Sequence, residues 1–138
     1  MTHIMKTIFI LLTAILVSCG QQNIEHKNLN EIANELNTLC PKMVDGGTRW
    51  DRVNASDNNL ELTFTLVKME KDSTDTEGLT KELKAFLISN LEKGFNMYKT
   101  QIDLKYIKQN NVIFHYVYLD KSKQVLSDII IKPEEYGK

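Results

Sequence analysis

Arg49 and Arg52 are the side chains in this sequence best equipped for directed chemistry. Every other basic residue is a lysine, so the only two guanidinium groups fall together among Asp45, Thr48 and Asp51, with Trp50 between them. A planar fork of donors takes a carboxylate with two parallel hydrogen bonds, inside the fold or on a ligand. Two readings of the cluster Asp45, Thr48, Arg49, Asp51 and Arg52 follow. Arg49 pairs with Asp45 or Asp51 and staples a turn to a sheet, or the cluster receives a ligand. Strict strand alternation puts Arg49 on the side of Val53 and Arg52 on that of Asn54, which makes Arg49 the structural member and Arg52 the exposed one.

Other chemistry is sparse. His115 stands among Phe114, Tyr116 and Tyr118, but alternation sends both tyrosines to the opposite face, so His115 reads as a surface or satisfied histidine and not a general base. No serine has a Gly-x-Ser-x-Gly context. Gly46 and Gly47 make a turn and lack the Gly-Lys-Ser/Thr that follows in a phosphate loop. With His26 and His115 as the histidines beyond the first residues, and no close Cys/His spacing, neither a metal site nor a cofactor is expected. The formal charge of −1 comes from evenly mixed lysines and acids. That balance offers no concentrated basic patch, and a nucleic-acid partner is not expected. The chain reads as a non-enzyme.

Cys19 carries the strongest single signal. Lys6 precedes an apolar run from Ile8 to Val17, which is too short for a transmembrane helix of roughly 20 residues but suits a secretory signal. Leu16, Val17, Ser18 and Cys19 at its end resemble the lipobox of bacterial lipoproteins. That resemblance implies cleavage before Cys19, a diacylglyceryl group on its thiol, and a membrane partner held through that lipid. Gly20 follows in place of the aspartate that retains some lipoproteins at the inner membrane, so the outer membrane, facing the periplasm, is expected in a Gram-negative cell. Residues 1–18 are then the signal peptide and 19–27 the lipidated cysteine with a tether. Gly20 to Lys27 reach about 26 to 29 Å when extended. Cys40 would be the one free thiol and reads as a small buried hydrophobe on the apolar stripe of a helix, with an intermolecular disulfide or a reactive thiol as the alternatives.

Residues 28–132 hold enough apolar periodicity for one domain. Leu29, Ile32, Ala33, Leu36, Leu39 and Cys40 follow helical spacing behind Asn28 as N-cap, and Pro41 ends the run. Thr48 to Val53 can extend, and Leu60, Leu62, Phe64 and Leu66 alternate with polar residues, which predicts a hairpin. Leu79, Leu83, Phe86, Leu87 and Leu91 form the apolar stripe of a second helix that closes near Gly94. Residues 98–108 fit either period, with a short helix favoured through Thr100 and Asp103. Val112 to Leu119 and Gln124 to Ile131 flank a turn at Asp120 to Lys123 and predict a second hairpin. The expectation is an α+β fold, a four-stranded antiparallel sheet from two hairpins with two or three helices on one face. Residues 133–138 read as a frayed tail.

Pro41, Met43, Val44, Asp45, Thr48, Arg49, Asp51 and Val53, together with the aromatic strand Phe114 to Tyr118 and Asp120, resemble small bacterial envelope proteins, lipid-modified or singly anchored. The resemblance covers Cys40 to Leu66 and implies no activity. The expected function is therefore a membrane-anchored module that binds an envelope protein or peptide. An immunity or inhibitor lipoprotein against a toxin or hydrolase, and a ligand carrier or hydrolase using the Arg49 region, are the alternatives.

Overall fold

The computed structural model describes residues 28–93 and 104–137. Asn28 opens helix α1, Leu29–Asn37, by accepting the Glu31 N–H at 3.0 Å, as an N-cap should. Its buried stripe is Leu29, Ile32, Ala33 and Leu36. Strands β1 (Lys42–Met43), β2 (Thr48–Ser56) and β3 (Asn59–Leu66) follow. A single 3-10 turn at Lys71–Ser73 leads to helix α2, Thr76–Glu92, whose Asp75 cap accepts from Gly78 N–H at 3.1 Å. Helix α3 (Leu104–Gln109), strands β4 (Ile113–Leu119) and β5 (Val125–Ile131), and a closing turn of helix α4 (Pro133–Tyr136) complete the order. Residues 1–27, with Cys19 and the tether, and 94–103 lie outside the described residues.

The α+β class and the helical layer on one face are as expected, but the sheet differs in two ways. It has five strands in the order β1-β2-β3-β4-β5. The two-residue β1 pairs with β2 through Lys42 and Met43 and is too short to leave a period in the sequence. The second difference is direction: β3 and β4 run parallel, from Asn59 opposite Ile113 to Thr65 opposite Leu119. The hairpins therefore do not join into an all-antiparallel sheet. The connection from residue 67 to 112 carries α2 and α3, long enough to return the chain to the starting end of β3, as parallel neighbours require. There Ile113 N–H bonds Asn58 O at 2.9 Å.

Both predicted hairpins form, and the core lies on the helical face. Trp50, Val53, Leu60, Leu62, Phe64, Leu66, Phe114, Tyr116, Ile129 and Ile131 meet Leu29, Ile32 and Leu36 of α1, Leu87 and Leu91 of α2, and Ile107 of α3. Its rings stack across the strands, Trp50 on Phe64 at 6.3 Å and Phe64 on Tyr118 at 5.1 Å. Such pairs add about 0.5–1.5 kcal/mol beyond area burial. Trp50 is among the largest fully buried side chains.

Three polar devices finish the frame. Asn37, at the end of α1, donates to Val53 O at 2.5 Å and accepts Val53 N–H at 2.7 Å, so a side-chain amide continues the pairing of β2 where β1 has stopped. Asp120, buried, accepts Ser122 and Gln124 N–H at 2.8 Å each and reaches Lys71 N–H at 2.9 Å. It closes the β4–β5 turn and ties that turn to the start of the crossover. Tyr136 packs edge-on against Phe114 at 5.3 Å and donates its hydroxyl to Val112 O. Residues 133–136 are therefore docked and not frayed, because that ring covers the end of the core.

Candidate functional site

The polar cluster on β2 is shaped by a bulge. The register slips between Trp50 and Arg52, so Trp50 pairs with Phe64 and Arg52 with Thr63. One extra residue sends Arg49, Asp51 and Arg52 to the face away from the helices, while Trp50 and Val53 stay in the core. Strict alternation puts Arg49 on the Val53 side; the bulge turns it to the opposite face. Arg49 Nε donates to Asp51 Oδ1 at 2.6 Å and Nη2 to Thr65 Oγ1 at 3.3 Å, and Thr65 in turn donates to Asp51 Oδ2 at 2.5 Å. Arg49, Asp51 and Thr65 thus form a closed triangle across β2 and β3.

The other members stand apart from it. Asp45 accepts Gly47 N–H at 2.8 Å and closes its own turn. Thr48 contributes its backbone carbonyl, which accepts Val44 N–H at 2.9 Å. Arg52 is exposed. Cys40 is half-buried, and burial, then the nearby Asp51 charge, pushes its thiol up to about 11. At neutral pH it is a protonated thiol and a poor nucleophile. The sequence offers no hint of Thr65 as the third corner, because only the β2–β3 register brings it there.

His115 lies on the same outer face, with Tyr116 and Tyr118 on the core side as alternation requires. Its ring sits between two carboxylates on neighbouring strands: Nδ1 is 3.3 Å from Glu61 Oε2, and Nε2 is paired with Asp128. Both partners were invisible in the sequence, since Glu61 reaches His115 only through the parallel register. Among the described residues no group of three or more His, Cys, Asp or Glu is placed to hold a metal ion. No helix among them is long and apolar enough to cross a membrane.

A third feature lies on α2. On α2 the seam against the sheet runs through Thr80, whose hydroxyl lies 2.6 Å from Ser127 Oγ, through Lys84, which pairs with Glu135 of α4 at 3.1 Å, and through buried Leu87 and Leu91. Leu79, Leu83 and Phe86 form the adjacent row, about 100° around the helix. Leu79 and Leu83 are partly buried against the core, and Phe86 is 57% exposed. Trp50, Phe64, Phe114, Tyr116, Tyr118 and Tyr136 are buried and Tyr106 is partly buried, whereas Phe86 is exposed.

No protein-family description and no curated protein matches this sequence. Solved structures do match. The pilotin EpsS of the type 2 secretion system of Vibrio vulnificus superposes with a TM-score of 0.58 at 13% identity, covering 78% of this chain and 86% of that one. A protein of Pseudomonas aeruginosa described as secreted gives 0.59 at 10% identity, with 77% and 87% covered. The type II secretion system pilotin AspS of Vibrio cholerae gives 0.50 at 18% identity, with 77% and 86% covered. At such identities the likeness is one of fold.

Proposed function

We propose that this chain is a lipid-anchored envelope protein that acts by holding a segment of another protein, in the manner of a pilotin beside a secretion machine, and not by catalysis. The fold it shares with two secretion-system pilotins supports the class of activity. The lipobox-like Leu16 to Cys19 supports the anchor, and Gly20 supports the outer membrane. The observation that carries the reading is Phe86. A phenylalanine more than half exposed, beside Leu79 and Leu83 at helical spacing, is an apolar row of the kind a partner helix covers. The alternative of a ligand carrier at Arg49 has less support, since Nε and Nη2 are already spent on Asp51 and Thr65.

The test is photo-cross-linking from position 86 of the full chain in living cells, with position 81, an exposed lysine of the same helix, as reference. The expected result is a discrete adduct from 86 and not from 81, whose partner is a secretion-machine component by mass spectrometry. Phe86→Ser should abolish binding while leaving stability within about 0.5 kcal/mol, as for other surface changes. Equal labelling from both positions, or binding that survives Phe86→Ser, would sink the reading.

A further inference from the structure

The sheet face turned away from the helices is built unlike a wetted surface. Ile113, Val117 and Leu119 of β4 point to it, with His115 as the one polar residue of β4 on that side, and Phe114, Tyr116 and Tyr118 lie opposite in the core, so β4 carries apolar side chains on both faces. Strands read this way when both faces are covered. Met43, Val125 and Ile130, exposed by 48, 46 and 50%, share that face through their pairing with Arg49, Leu119 and His115.

Charge on this face is ordered. Register places Arg52, Thr63, Val117 and Asp128 side by side across β2 to β5. Arg52 makes no ion pair among the described residues, and Asp128 stands three strand spacings away, about 14 Å, too far to meet it. We propose that a second copy of this chain packs on this face, about a two-fold axis running along the strands between β3 and β4. Such an axis reverses the row. It lays Arg52 of each copy over Asp128 of the other, a carboxylate whose partner in its own chain is His115, and in the next row it brings the Glu61-His115 pairs of the two copies together, while Thr63 between them is already buried within its own chain. An axis across the strands through the same row would set Arg52 on Arg52 and Asp128 on Asp128, and like charges in register oppose docking. Arg49 and Arg52 beside Asp51, Glu61 and Asp128 make a mixed field, which suits a copy of itself better than an anionic membrane.

Size sets the strength. Four strands of seven residues present about 19 by 23 Å, roughly 900 Å² over two copies, below the roughly 1,600 Å² of a standard interface. The pair is therefore weak in solution and relies on concentration at a shared membrane, a point that rests on the anchor proposed above.

Two differently tagged full chains expressed in one cell test this, with a photo-activatable residue at Ile130 of one and adducts read for both tags. Wild type should give the two-tag adduct. Arg52→Asp in both chains, or Asp128→Arg in both, should lower it by about tenfold or more. Arg52→Asp in one chain with Asp128→Arg in the other should restore it, since both contacts of that mixed pair regain opposite charges, and restoration also shows that each variant folds. No two-tag adduct in wild type, indifference to the single swaps, or failure of the mixed pair would each overturn the proposal. None of these outcomes bears on Phe86, so the two surfaces stand or fall separately.

Discussion

Arg49 shows how a residue chosen for its chemistry can be absorbed by the fold. In a buried fork, Arg49→Lys would cost roughly 1 to 3 kcal/mol. The side chain is 41% exposed, and solvent screens exposed pairs to about 0.2–1 kcal/mol. The expectation is a loss below about 1 kcal/mol for Arg49→Lys and almost none for Arg52→Lys. Thr65→Val should cost more than either, about 1–2 kcal/mol, because it removes a buried hydroxyl that donates to Asp51. Urea midpoints of the three variants give the order directly. Arg52→Lys as the most damaging change would mean that the bulge has been assigned to the wrong residue.

At the scale of elements, Asp120 joins parts that are far apart in sequence, and its titration should be visible. Burial alone would raise its pKa, but N–H donors from Lys71, Gln124 and Ser122, with the Lys71 charge, outweigh it and hold the carboxyl below its ordinary value. A native pKa below the unfolded one gives stability that is complete above about pH 4 and is lost as pH falls towards the native value. Asp120→Asn should therefore melt below wild type at pH 7, with a gap that closes below about pH 4. Melting temperatures from pH 2.5 to 7 check this, and a constant gap would rule the charge out as the cause. The elements with a repeating period were legible: α1 from Asn28 and its stripe, both hairpins, and α2 as a helix. What escaped has no period. Alternation in Leu60 to Leu66 is the same for a parallel or antiparallel neighbour, β1 is two residues long, and the bulge at Asp51 inverts every face assignment upstream of it. The exposure of Phe86 is not legible in the sequence, because a helical stripe records spacing, not which of two adjoining rows meets the sheet. Tyr136 could have been suspected from its aromatic ring alone.

For the whole molecule, the lipid anchor proposed above would decide where any of these surfaces can act. Cys19→Ala should leave an uncleaved or soluble species, read by intact mass and detergent-phase partitioning. Unchanged membrane retention, with no lipid mass on the wild type, would remove the anchor from the account. The parallel β3–β4 pair adds a consequence measured in time. Asn59 must find Ile113, and contacts so distant in sequence form slowly because a long loop has to close first. The pair also cannot exist until β4 has been made. At about 5–20 residues per second, the roughly 50 residues between them take some 3 to 10 s to synthesise. Through that interval the nascent chain can hold α1 and the β2–β3 hairpin but not a sheet, with Leu60, Leu62, Phe64 and Leu66 waiting on an open edge. Late closure of the sheet would give the export that the proposed anchor requires seconds in which to take the chain while it is still unfolded.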